Sequence, residues 1–264
     1  SMVSWNFNLD STFATNIPTS FVSSTSIDFG LMMYLSESNA ISKGNFDSLM
    51  IPFRCIASNI TERKQIIFKD GNLPAAIRAS MTYPFYLAPI EIDGNLMFDG
   101  GLYNNFPADV LCDELNPDFV IASNVVASIE TPSEDNLLSQ IRSMLVKEPD
   151  FNINCANGII INSEVKDIST FEFEENKLAI ARGYESAIAL MDSIKLEVKA
   201  NKNNQELQNE RARFLNQRKP FVFNQITFEN IHKNQVKFLK QKLLADSSSS
   251  VSYTHLRAHE TRGN

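Results

Sequence analysis

Glycine is scarce in this chain, nine residues in 264, and none of the nine falls in a G-x-S-x-G or a G-x-G-x-x-G arrangement. A strained nucleophile elbow and a dinucleotide-binding turn both need those glycines, so neither is encoded here. Cations are short as well: 24 Lys and Arg against 31 Asp and Glu leave a net charge of −7, with a pI near 5.1. Neutralising phosphates requires a basic surplus, which excludes nucleic acid as a partner. Apolar runs stop well short of the roughly 18 uninterrupted residues that a membrane helix requires. The three cysteines, Cys55, Cys112 and Cys155, lack C-x-x-C spacing. That speaks against a disulfide framework or a zinc site and predicts buried free thiols. Of the three histidines, His255 and His259 lie in the final stretch SSSSVSYTHLRAHETRGN, which breaks from what precedes it and reads as translated adapter sequence. His232 is left, and beside Lys233 it reads as a surface residue, so a Ser-His-Asp triad has no support.

What is present is ordinary globular composition, 43% apolar and 21% charged. The length accommodates one main domain with an extension. The Ser1-Met2 start, running straight into SWNFNLDSTF, reads as a cut or a tag. Residues 1–48 are rich in Ser, Thr and Asn and predict irregular chain with one helix around Phe29 to Leu35. IPFRCIASNI and KQIIFKDG predict two neighbouring strands. Pro74 opens a short helix that Tyr83-Pro84 stops, GNLMFDGG is a brief strand, Asp93-Gly94 is a hairpin turn, and Pro107 opens PADVLCDEL. DFVIASNVV, an unbroken apolar run, predicts a strand covered on both faces. NLLSQIRSMLV reads as a helix and NGIIINSEV as a strand. Ile180, Tyr184, Ile188, Met191, Ile194 and Val198 then recur at helical spacing, predicting a long helix that seals the domain. The alternation of strand and helix predicts an α/β fold.

Beyond it, residues 201–218 are polar and read as a linker or helix end. Residues 219–246 resume with a strand, FVFNQITF, and an amphipathic helix, NQVKFLKQKLL. Residues 247–264 are the non-native-looking tail.

One block carries a resemblance. LMIPFRCIASNI followed by GNLPAAIRASMTYPFYLAPIEIDGNLMFDGGLYNNFPADV is similar to the second half of bacterial patatin-like phospholipase domains, closely over about residues 48–126 and more loosely through the long helix. The resemblance implies a three-layer fold with a central, mostly parallel sheet, of which residues 1–200 are the C-terminal portion. It further implies a lipid acyl hydrolase that attacks phospholipid or other lipid esters through a serine–aspartate dyad, without metal or organic cofactor and with a membrane surface as a possible site of action. Carried over by position, Asp99 of Asp99-Gly100-Gly101 is the catalytic base. A carboxylate can fill that role if it lies within hydrogen-bond reach of the hydroxyl.

Taken alone, Asp-Gly-Gly is a common turn; its place at the end of an apolar strand, where α/β domains bind ligands, is what singles it out. Gly100 and Gly101 are expected to let the backbone turn sharply and approach a substrate. The serine elbow and the glycine-rich oxyanion loop are expected upstream of residue 1, and the chain by itself is expected to be inactive. Ser58 and Ser80 lack elbow glycines and read as serines making local hydrogen bonds. Arg78 either steadies the Asp99 region or a phosphate, or forms a simple ion pair. Phe85, Tyr86, Phe98 and Phe106 are candidates for an acyl pocket or plain core, and Asn104 and Asn105 for caps of the next helix. A non-catalytic patatin-like module that binds lipid or protein is the alternative function.

Residues 219–246 also look like the opening of a POTRA module, which implies the cell envelope or outer membrane of a Gram-negative bacterium. A strand and helix of the same domain, with a cytoplasmic location, is the alternative.

Overall fold

The computed structural model describes residues 20–126, 134–135, 140, 143, 150–155, 157–168, 172–199, 202–217 and 233–237. Most of the helix expected over NLLSQIRSMLV, of which residues 140 and 143 are described and helical, the strand FVFNQITF, most of the helix after it, the 247–264 tail and all three histidines lie outside the described residues. The chain divides into two compact units, Ser1–Ala212 and Arg213–Asn264. In the second unit, residues 233–237 are helical.

The first unit is α/β. Helix α1 (Thr25–Ile41) packs on α2 (Leu73–Ser80), and α2 lies across a four-stranded sheet. The strands are β1 (Cys55–Asn59), β2 (Lys64–Phe68), β3 (Ile90–Ile92) and β4 (Asn95–Asp99), in the order β2-β1-β4-β3. Every pairing in this sheet is antiparallel. The parallel pairing falls in a second sheet, where β5 (Phe119–Asn124) runs beside β6 (Asn157–Asn162). Helix α3 (Ala108–Leu115) connects the two sheets in sequence, and α4 (Asn176–Ala189), α5 (Met191–Glu197) and α6 (Asn204–Leu215), which begins in this unit and runs past its boundary, follow β6.

Local chemistry explains most boundaries. Asn72 caps α2 by accepting the Ala75 N–H at 3.0 Å, and Pro74 sits in the first turn where its missing donor is harmless. Asp93 and Gly94 both take positive φ, 52° and 76°, as a two-residue turn between β3 and β4 requires. Asn116 ends α3 in the left-handed conformation, with Pro117 preventing its continuation. The three-residue strand β3 has too short an apolar pattern to be read in advance.

The core lies between α2 and the sheet. Phe46, Leu73 and Ala76 form one cluster, and Ala57, Ala79 and Met97 another, the small alanines letting α2 approach the strands closely. Towards the C-terminal side the cover thins. The helix expected to run unbroken from Ile180 to Val198 ends at Ala189 and restarts at Met191. Its apolar face packs partly on β6, yet Ile180 is 72% exposed and Tyr184 67%, so it does not seal the domain among the described residues. Strand β5 likewise buries Val120 but leaves Ile121 about half exposed, against the expectation of cover on both faces.

The cysteines correct the expectation of free thiols. Cys112 of α3 and Cys155, just before β6, are joined by a disulfide with Cα atoms 5.7 Å apart, and Cys55 alone is free. The pair lies 43 positions apart in sequence, so spacing carried no signal of it. Alkylation of the unfolded, unreduced chain is expected to label one cysteine, Cys55, and prior reduction to raise the count to three; three labelled thiols without reductant would show that this bond does not form.

Candidate functional site

Antiparallel pairing aligns Asp99 directly opposite Ala57. Opposed residues share a face, so Asp99 ends β4 on the side covered by α2. The chain then tightens into a single 3-10 turn, Gly100–Leu102, which Asp99 caps by accepting the Gly101 N–H on Oδ1 at 2.8 Å. From the other side, the Asp99 N–H donates to the carbonyl of Thr82 at 2.9 Å. The residue is therefore held at both its backbone and its carboxylate.

The two glycines serve contacts within the protein. A Cβ at Gly100 would lie 2.4 Å from the Ile56 carbonyl oxygen, and one at Gly101 would lie 2.7 Å from Asn105 Oδ1 and 3.1 Å from Asp99 Oδ1. Neither takes positive φ. What they permit is the close approach of the turn to β1 and of the carboxylate to its own backbone donor.

Asp99, Gly100 and Gly101 open on a cavity of about 570 Å³. Its lining includes the polar residues Asp99, Ser80 at the end of α2, and Asn104, together with the apolar residues Phe106, then Val110, Leu111 and Leu115 of α3, and Val120 and Ile121 of β5. Burial pushes the Asp99 carboxyl above its ordinary value, an effect the Gly101 N–H partly opposes. Cys55 lines the same cavity, and burial pushes its thiol up to about 12, so it is no thiolate at neutral pH. Arg54, also on the wall, is committed elsewhere. It donates to Asp47 Oδ1 at 2.7 Å, to the Phe53 carbonyl at 2.9 Å and to Glu114 Oε2 at 3.4 Å. The Asp47 carboxylate holds the guanidinium above its ordinary value, and is itself held below the ordinary aspartate value. Among the described residues, no group of three or more His, Cys, Asp and Glu side chains converges as a metal site would.

Of the aromatic candidates, Phe106 alone reaches the cavity, stacked edge-on against Phe151 with centroids 5.1 Å apart. Phe85 and Tyr86 instead accept the N–H groups of Phe21 and Val22 through their carbonyls. Phe98 pairs opposite Ser58, on the face of the sheet away from Asp99. Ser58 corrects its reading too: it is fully buried and its hydroxyl finds no hydrogen-bond partner. Asn104 and Asn105 do not cap α3, whose first residue follows Pro107 without a side-chain cap. Asn104 donates instead to the Asp109 carboxylate in the helix's first turn, at 2.9 Å. Sequence reasoning missed the α3 and β5 side of the cavity. Its signal was the apolar spacing of Val110, Leu111 and Leu115, which by itself says only that a helix has an inner face.

Comparison with known proteins bears on this region. Residues 10–112 match the model of the patatin-like phospholipase family. An uncharacterized NTE family protein of Mycobacterium tuberculosis is 30% identical over 119 residues, 43% of this chain and 33% of that protein. Patatin-like phospholipase domain-containing protein 7 of Mus musculus is 35% identical over 109 residues, 40% of this chain and 8% of that protein. Protein 6 of the same series is 38% identical over 87 residues, 32% of this chain and 6% of that protein. The chain thus spans a third or less of the length of these relatives. The resemblance read from the Asp99 block holds, over a region that begins well before residue 48.

Two outcomes follow from the packing. Gly100→Ala is expected to lower unfolding free energy by roughly 1–3 kcal/mol, because the Ile56 carbonyl cannot yield as a side chain could; an unchanged denaturant midpoint would show that the turn has slack. Asp99 has a folded pKa above its unfolded one. Its contribution to stability is therefore present below the ordinary value of 3.8 and lost as pH rises through the folded pKa. Asp99→Asn keeps the acceptor for Gly101 and removes the charge, so its urea midpoint is expected to exceed wild type at pH 7 and to match it below pH 3.8.

Proposed function

We propose that Asp99 is the general base of a lipid acyl hydrolase, a carboxylic ester hydrolase working through a serine–aspartate dyad. The observation that carries the reading is a partly buried carboxylate with a raised pKa, at the end of β4, lining a cavity that apolar residues of α3 and β5 also line. The family match over residues 10–112 includes this residue and supports lipid esters as the substrate class. No serine of this sequence stands in a G-x-S-x-G elbow, so the proposal takes the hydroxyl and the oxyanion donors from polypeptide beyond these 264 residues.

The chemistry then runs in two acyl transfers. As the serine oxygen attacks the ester carbonyl, its proton passes to Asp99; collapse of the tetrahedral adduct expels the alcohol, which takes that proton and leaves an acyl-serine. Water, deprotonated by the same carboxylate, attacks the acyl-serine, and the returning serine oxygen recovers the proton. Desolvation of Asp99 makes it a stronger base than an exposed aspartate. The Phe106, α3 and β5 wall takes the acyl chain, with the membrane surface as the source of substrate. An envelope location belongs to the same proposal and draws on the C-terminal segment.

In a polypeptide that also supplies the elbow serine, Asp99→Asn is expected to lower kcat/KM for a fluorogenic short-chain ester by about a thousandfold or more. The wild-type acid limb should lie above the ordinary aspartate range, activity falling as pH drops and the base protonates. The 264-residue chain alone should show no turnover. Undiminished hydrolysis by Asp99→Asn would remove Asp99 as the base, whereas no turnover by the wild-type, serine-supplying polypeptide would favour a non-catalytic lipid- or protein-binding module.

A further inference from the structure

Asp99 depends on Thr82, because the Thr82 carbonyl is the acceptor for its N–H. Thr82 in turn is fully buried, at the start of the turn that links α2 to β3. Its hydroxyl donates to the Arg78 carbonyl at 2.6 Å and accepts from Arg78 Nη1. The same guanidinium donates through Nη2 to the Ala88 carbonyl at 2.9 Å and through Nε to Asp28 Oδ1 of α1 at 2.7 Å. Arg78 is 3% exposed. One side chain thus grips both ends of the Thr82–Ala88 turn and ties them to α1.

We propose that Arg78 is a positioning residue for Asp99, holding the turn whose Thr82 carbonyl sets where β4 ends. The inference rests on the reading of Asp99 as the base and adds a residue that touches no substrate. Arg78 does not line the cavity. Its fork is what the site requires: three donors directed at a hydroxyl, a carbonyl and a carboxylate in fixed relative orientation, which the single ammonium of a lysine cannot reproduce. Burial and the Gly101 N–H are the influences acting on the Asp99 carboxyl. Arg78 therefore acts through backbone geometry and not as a counter-charge.

The test reads Asp99 directly in the full 264-residue chain. Backbone amide exchange and the carboxyl carbon shift of Asp99 are followed by NMR in wild type, Arg78→Lys and Thr82→Val. In both variants exchange at the Asp99 amide is expected to accelerate roughly tenfold or more while the β1–β2 amides keep their protection. The Asp99 titration is expected to move down towards the ordinary aspartate range as water reaches the carboxylate. Should Arg78→Lys fail to fold, Thr82→Val decides, since it leaves the Asp28 and Ala88 contacts in place and removes only the hydroxyl link. An Asp99 amide and titration unchanged in a folded variant overturn the proposal, whatever the activity. A shifted Asp99 in Arg78→Lys, alongside full ester turnover by Asp99→Asn in a serine-supplying polypeptide, would leave the clamp standing and remove the base reading alone.

Discussion

The arrangement around Asp99 depends on a backbone contact with no spare room: the turn after β4 lies so close to β1 that any side chain at Gly100 would meet the Ile56 carbonyl. Strand pairing brings Asp99 opposite Ala57, and the absence of a Cβ one residue later lets the chain fold back at once into the Gly100–Leu102 turn. A carboxylate bound to its own turn by the Gly101 N–H has little freedom to swing into solvent. Two small residues thus convert a strand end into a fixed point.

Charge is managed around that point by commitment elsewhere. Two arginines lie near the site, both almost wholly buried at the side chain, and each is occupied by other acceptors. Arg54 on the cavity wall is satisfied by Asp47, Glu114 and a carbonyl, and Arg78 behind it by Asp28, Thr82 and Ala88. A free guanidinium beside Asp99 would lower its pKa and weaken it as a base. Leaving the carboxylate with one neutral backbone donor keeps it desolvated without neutralising it. The cost falls on folding stability above the carboxyl's ordinary pKa.

How much of this was legible in the sequence depended on the range of the interactions involved. Caps and turns are local, so the Pro74 helix start, the Asp93-Gly94 hairpin and the Asn116-Pro117 stop could be read from neighbouring residues. Asp99 was legible because its strand and glycines are contiguous, and the α/β class because helix and strand periods differ. The Cys112–Cys155 bond, the Arg78–Asp28 pair and the cavity lining from α3 and β5 join residues far apart in the chain, and no short pattern records them. The helical stripe at Ile180, Tyr184 and Ile188 shows the same limit in reverse. Its period was right, but a period states that one face is apolar and not that anything covers it.

Burial at the cavity has opposite consequences for two of its titratable groups, Asp99 and Cys55, and together they sort the available chemistry. Burial raises both Asp99 and Cys55, since removing water disfavours the charged form of either. For a thiol the result is inertness: pushed to about 12, Cys55 carries almost no thiolate at neutral pH, which argues against it as a nucleophile although the residue lines the cavity. For a carboxylate that begins far below neutrality, the same push increases proton affinity while leaving room for the ionised form to persist. Desolvation therefore disables one candidate and strengthens the other. Of the two, the aspartate is the group this environment suits for taking a proton from a hydroxyl.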